Sequence, residues 1–397
     1  MLTSLALIFL CGLLLGAIFQ KLRLPSLIGM LLAGIVLGPY ALNLLDESIL
    51  SISADLRQLA LIVILLRAGL SLDLADLKKI GRPAVLMSFV PACFEMLGTI
   101  LLAPALLNLP LLDAALLAAV VASASPAVIV PRMLRLMDTG YGMGKHIPQL
   151  VLAGDSVDDI FNIVVFTALL GLANGQTVSA SQFIVVPVSI FSGIAGGALV
   201  GILLSFFFKK VHIRDSGKVI ILLSTAFLLV ALEDVAEGVL PFSGLLAAMA
   251  AGVVIFKKLP IAAKRISVKF SKLWVGAEVL LFVLVGASVN ISSVAAAGWR
   301  TLVLLVAVLA IRAVGILLCL AKTPLNLKER IFCTFTGIPK ATVQAAIGSI
   351  PLAMGLPSGE IILAVAVISI LFTAPLGAFL LDFSYKRLLT KSEPEVH

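Results

Sequence analysis

Asp158 and Asp159 stand side by side in IPQLVLAGDSVDDIFNIVVFTALLGL, residues 147–172, a stretch that otherwise reads as lipid-soluble helix. Lys145 lies thirteen residues before Asp158, which sets the pair roughly 20 Å beyond it at about 1.5 Å of rise per residue. A carboxylate at that depth in a bilayer costs about 3 kcal/mol or more. Two adjacent carboxylates also repel each other. Packing offers no reason for such a pair. A site that holds a cation or a proton does, because either one neutralises it, and the pair therefore points to ion transport.

Other ionisable residues share this depth. Glu95 comes thirteen residues after Arg82, Arg312 ten before Lys322, and Lys340 ten after Arg330. Charges from four different spans that converge on one slab imply one interior cluster, since buried charges need partners. Lys340 is expected to partner Asp159. Ser123, Ser125 and Asn162 offer neutral oxygens, which a hard cation prefers, although small polar residues also serve helix packing in membranes. Asp155 precedes Asp158 by one turn on the same helix face and reads either as an access-funnel or pH-sensing carboxylate or as a partly solvated span residue. His146, at the mouth of this span, is a second pH-sensing candidate, against the plainer role of an interfacial histidine. Arg67 sits near the end of its span and is expected to snorkel or to pair locally.

Two spans carry helix breakers at the depth of the charges. One reads LLAAVVASASPAVIVPRML, with Pro126 and Pro131; the other reads FCTFTGIPKATVQAAIG, with Gly337 and Pro339 just before Lys340. Proline removes a backbone donor and frees a carbonyl. Broken backbone at membrane depth is tolerated only where it is buried in protein or lines a cavity. Broken segments at matching places in two halves point to inverted repeats around a midplane site. Lys340 would offset the negative ends of the freed carbonyls.

The rest of the chain is organised around these spans. Of its 397 residues, 61% are hydrophobic and 13% charged, and the mean hydropathy is +1.19. Such a composition means many membrane spans and leaves no room for a sizeable soluble domain. Apolar runs give about thirteen transmembrane helices, of which those near 25–44 and 239–256 are short or interrupted. Apart from Arg57, Arg67, Arg300, Arg312 and Lys340, every Lys and Arg falls in or beside a loop that follows an odd-numbered span, or in the C-terminal tail. By the positive-inside rule the N-terminus lies outside and the C-terminus in the cytoplasm of a cell-membrane protein. The first segment has no positive n-region and reads as a retained span. The net charge of +8 thus reports topology rather than a nucleic-acid partner. KKLPIAAKRISVKFSK, residues 257–272, reads as an interfacial stretch that meets lipid headgroups. Cys11, Cys93, Cys319 and Cys333 lack metal-ligand spacing and read as packing residues. GYGMGK, residues 140–145, does not match a phosphate-binding loop, and no HExxH or Ser/His arrangement suggests an enzyme. No cofactor is expected.

GDSVDDIF, ASPAVIVPRML and PKATVQAAIG resemble the sodium/proton antiporters of the monovalent cation:proton antiporter superfamily, in the Nha-type branch with paired aspartates. The resemblance extends over essentially the whole chain, including LRLPSLIGMLLAGIVLGP and LLRAGLSLDL. It implies an all-α, multi-pass NhaA-like fold with inverted repeats and two crossed discontinuous helices. It also implies a homodimer that works by elevator-like motion. The core would comprise residues 83–173 and 298–385. The dimerisation region would comprise residues 1–44 and 182–256, and the linker residues 257–290. The family's ion site falls on Asp158 and Asp159, its crossing-helix lysine on Lys340, and its core basic residue on Arg312, with Glu95 as partner. Bacterial relatives with paired aspartates place lysine where this chain has Arg312, and arginine does not release its proton. Asp155 is not among the family's motif residues.

The implied activity is exchange of Na⁺ or Li⁺ for H⁺, with cation and protons competing for the two aspartates. Potassium/proton exchange is one alternative. A sodium-coupled organic-anion symporter is another, but it calls for a roomier polar cavity than Thr342, Gln344 and Asn162 supply.

Overall fold

The computed structural model describes residues 1–22, 24–71, 81–173, 182–236 and 242–391. Arg23, Lys78 and Lys79, which count among the basic residues of the odd-numbered loops, and the end of LLRAGLSLDL lie outside the described residues. The regular structure of the described residues is helical, apart from one isolated antiparallel bridge between Tyr141 and Lys391.

In order the helices are α1 (Leu2–Lys21), α2 (Ser26–Leu37), α3 (Glu47–Leu50), α4 (Ser53–Gly69), α5 (Arg82–Met87), α6 (Val90–Leu107) and α7 (Leu111–Val121). There follow α8 (Pro126–Thr139), α9 (Ile147–Ala173), α10 (Gln182–Lys210), α11 (Asp215–Ala236), α12 (Gly244–Lys258) and α13 (Pro260–Ala287). The last are α14 (Ile291–Cys319), α15 (Leu327–Thr336), α16 (Thr342–Ile347), α17 (Ile350–Ala353) and α18 (Gly359–Leu388).

Among the described residues, nine helical stretches are long and apolar enough to cross a membrane. The remaining expected spans are shorter or broken: α2 has 12 residues, α4 17 and α12 15, while the stretch from α15 to α17 is interrupted twice. Large apolar side chains point outward along the long helices, among them Leu101 at 75% exposure, Phe206 at 67% and Trp299 at 69%. Water would penalise such faces and lipid does not.

The chain forms two compact units. The first comprises residues 1–51, 75–173 and 282–397; the second, 52–74 and 174–281. In the second unit, Ala-rich α12 is buried along most of its length and packs against α4, α10 and α11. The Glu233 carboxylate accepts from the Gly244 amide at 2.8 Å and so satisfies a donor at the start of α12. Arg265 and Asp215 close a surface ion pair at 2.9 Å.

The first unit holds every charge that the sequence placed in the cluster. Nearly all of α7 is buried, and it lies against α6, α9 and α18. Helices α6 and α14 pack along each other, which brings Glu95 and Arg312 face to face. A capping box starts α15: Asn326 Oδ1 accepts from the Glu329 amide at 2.9 Å, and Glu329 Oε2 accepts from the Asn326 amide at 2.7 Å. The same Glu329 oxygen takes Lys145 Nζ at 2.8 Å. The start of α15 is thereby tied to the segment that leads into α9.

Candidate functional site

Two helix breaks meet in the first unit. The chain is non-helical from Ala122 to Ser125, between α7 and α8, and from Gly337 to Ala341, between α15 and α16. The breaks are joined directly, for the Ser125 amide donates to the Pro339 carbonyl at 2.8 Å. Ser125 Oγ and Thr342 Oγ1 lie 3.2 Å apart. The expectation of two discontinuous helices that cross at the depth of the charges is thus met by specific bonds.

Broken backbone leaves donors and acceptors that must find partners away from water. Gln344 Nε2 donates to the carbonyls of Val120 at 3.1 Å and Ser123 at 2.9 Å. Arg312 Nη1 donates to the Ala122 carbonyl. The Ala124 amide donates to Asp158 Oδ2 at 3.0 Å. The Lys340 amide is taken by Thr373 Oγ1 at 2.9 Å. The sequence reading gave the carbonyl-compensating role to the Lys340 ammonium; Gln344 and Arg312 perform it instead. A primary amide offers two donors in a fixed fork, which suits it to two carbonyls of one broken turn. Composition alone did not single Gln344 out.

The breaks need close helix approach as well as hydrogen bonds. A β-carbon on Gly377 of α18 would lie 2.7 Å from Pro339 Cδ and 3.0 Å from Pro339 N. Only glycine lets α18 come this near the break. Gly377→Val is expected to displace Pro339 and the Ser125–Pro339 bond, at about 1–3 kcal/mol, read as a lower unfolding midpoint together with slower transport. A variant with the stability and transport rate of the parent would show that the approach is not needed.

The buried charges form one network. Arg312 Nη1 donates to Glu95 Oε2 at 3.0 Å, and Arg312 Nη2 donates to Asp158 Oδ2 at 2.8 Å. Lys340 Nζ lies 2.6 Å from the same Glu95 oxygen. Glu95 and Lys340 are both fully buried. The expected partnership of Lys340 with Asp159 is therefore corrected to Glu95. The reason is placement: α6 packs along α14, and α14 itself lies against Gly337 of the second break, so one Glu95 oxygen is within reach of both cations. Asp159 instead accepts from the Ser123 hydroxyl.

The remaining candidates separate cleanly. Asn162 donates from Nδ2 to the Asp158 carbonyl at 2.7 Å and keeps Oδ1 without a partner. Asp158 likewise keeps Oδ1 without a partner. Ser123 touches the aspartate pair, whereas Ser125 pairs across the crossing. Asp155 is only 7% exposed, and both its carboxylate oxygens lack partners. That burial does not fit a solvated access funnel. His146 is exposed, with φ 53°, at the residue before α9.

In the second unit, half-buried Arg67 and Glu278 attract each other electrostatically. The sequence reading does not single out Glu278, although a lone acid in an apolar helix was the available signal. No group of three or more His, Cys, Asp or Glu suited to a multi-ligand metal centre occurs among the described residues. The site instead combines two carboxylates, a hydroxyl, an amide oxygen and a compensating ionic network.

Comparison with known proteins fits this architecture. A family model described as sodium/hydrogen exchanger, transmembrane, matches residues 5–383. The chain is 36% identical to sodium/hydrogen exchanger 9B2 of Mus musculus over 97% of its own length and 73% of that protein. It is 30% identical to sodium/hydrogen exchanger 9B1 of Homo sapiens, over 98% of this chain and 78% of that one. Its fold is similar to that of the sodium proton antiporter MjNhaP1 from Methanocaldococcus jannaschii, with a TM-score of 0.84, 21% identity and 98% coverage of both chains.

Proposed function

The chain belongs to the transmembrane sodium/hydrogen exchanger family, and we propose that it exchanges Na⁺ or Li⁺ for H⁺ at Asp158 and Asp159. The observation that carries the assignment of this site is the position of the pair on α9, against two joined helix breaks. There Asp158 keeps one buried oxygen free while Arg312 and the Ala124 amide hold the other.

The chemistry follows from charge. Lys340 and Arg312 are engaged by Glu95 and Asp158. Asp159 has a hydroxyl partner in Ser123, which stabilises its charge without cancelling it. A cation or a proton can supply the missing positive charge. Either load neutralises the site for passage across an apolar barrier, and the bare site is held back by the cost of moving an unpaired charge. Competition for one site couples the two flows with no need of a nucleotide or other cofactor.

Residues 83–173 and 298–385 form the moving core; residues 1–44 and 182–256 form the dimer contact, joined by 257–290. The protein works as a homodimer in the cell membrane, with its N-terminus outside and its C-terminus in the cytoplasm. The basic stretch 257–272 meets lipid headgroups.

Reconstitution in liposomes with an acidic interior tests the activity directly. Na⁺ or Li⁺ added outside is expected to raise internal pH, and choline is expected to leave it unchanged. A response to K⁺ equal to that for Na⁺ would replace the sodium reading by potassium/proton exchange. No response to any cation, from folded and inserted protein, would overturn the reading.

A further inference from the structure

Asp155, Asp158 and Asn162 stand at i, i+3 and i+7 along α9 and so share one face of the helix. All three carry buried oxygens with no hydrogen-bond partner: both carboxylate oxygens of Asp155, Oδ1 of Asp158 and Oδ1 of Asn162. Four such atoms in one stripe are not explained by helix packing, because an unsatisfied buried acceptor costs free energy and a buried carboxylate costs more.

Asp155 is the extreme case. It is 7% exposed, and its electrostatic surroundings are Asp158, Asp159, Arg312 and Lys340. Both cations already hold direct ion pairs with other acids. Asp155 thus adds a negative group to a cluster in which the acids already outnumber the bases. Hard cations select oxygen ligands, carboxylate and amide oxygens among them.

We propose that Asp155 is a second carboxylate station for the transported cation, one helical turn along α9 from Asp158 and Asp159. The proposal rests on the exchange reading above and extends its site by one helical turn. It also gives this chain a determinant of cation affinity outside the aspartate pair. A buried acid with a purely structural role would have a hydrogen bond or an ion pair to provide, and Asp155 has neither.

The test uses the full chain in liposomes and in detergent, with Na⁺, Li⁺ and choline as probes. Asp155→Asn is expected to raise the KM for Na⁺ in exchange about tenfold or more. In choline its unfolding midpoint should equal or exceed that of the parent, because an unpaired buried charge is removed. Added Na⁺ should then stabilise it less than it stabilises the parent. An unchanged KM for Na⁺ overturns the proposal, as does full Na⁺ stabilisation in a variant with a lowered midpoint in choline, which would mark a structural role. If Asp155→Asn does not fold, Asp155→Glu decides: moving the carboxylate by one methylene should alter the Na⁺ to Li⁺ ratio of KM about threefold or more. An unaltered ratio overturns the proposal. A parent protein inert to both cations overturns the exchange reading and this inference with it, whereas an active parent with an unaffected Asp155 variant removes this inference alone.

Discussion

Asp158→Asn combined with Asp159→Asn is expected to reduce Na⁺-driven proton movement at least about a hundredfold. Asparagine keeps the shape of the side chain but can neither take up a proton nor carry the charge that a cation must balance. The two positions should nevertheless differ when changed singly. Asp159 has the Ser123 hydroxyl as its hydrogen-bond partner, and an Asn carbonyl can accept the same bond. Asp159→Asn should therefore lose exchange with little loss of stability. Asp158 takes both Arg312 Nη2 and the Ala124 amide on one oxygen. Asp158→Asn weakens a charge-assisted bond inside the bundle and should cost about 1–3 kcal/mol as well as activity. Transport in liposomes and thermal unfolding in detergent separate the two effects. If the double variant, shown to be folded, exchanges ions at the parent rate, the site lies elsewhere.

The second large effect concerns the network that supports the pair. Glu95→Ala should destabilise the protein by about 3–5 kcal/mol, because it strands buried cations. Glu95 Oε2 takes both Lys340 Nζ at 2.6 Å and Arg312 Nη1 at 3.0 Å. Arg312 keeps Asp158 and the Ala122 carbonyl, but Lys340 loses the acid that holds its ammonium. Adding Lys340→Met removes the stranded charge at similar volume, so the double variant should recover much of the loss. Non-additivity of this kind is the mark of a direct pair. Unfolding midpoints of the two single variants and the double variant measure it. Additive losses would show that Lys340 and Glu95 do not depend on each other. The placement also ties stability to function: Lys340 lies in the second break and Arg312 touches the first, so losing Glu95 should disorder the ground on which Asp158 stands.

Much of this was written in the sequence. Membrane helices form because apolar runs of sufficient length must satisfy their backbone internally, and composition reports that directly. Asp158, Asp159, Glu95, Arg312 and Lys340 were legible because a charge in an apolar run is rare and costly. The breaks were legible because Pro126, Pro339 and Gly337 interrupt the helices locally. All of these signals depend on residue type and position along one span.

Which groups face one another depends on how the spans pack, and local chemistry does not contain that. The partner of Lys340 is Glu95 because α14 packs against both α6 and the second break and so brings the two together, whereas spacing along the chain allowed Asp159 equally well. Gln344 became a satisfier of the Val120 and Ser123 carbonyls only when α16 was brought against the first break. Asp155 looked like a group near water because it lies closer to Lys145, yet its carboxylate is enclosed once the helices around α9 close over it. Depth along a helix is a one-dimensional property that the sequence determines through a fixed rise per residue. Burial and pairing are properties of several helices at once, and only the tertiary structure decides them.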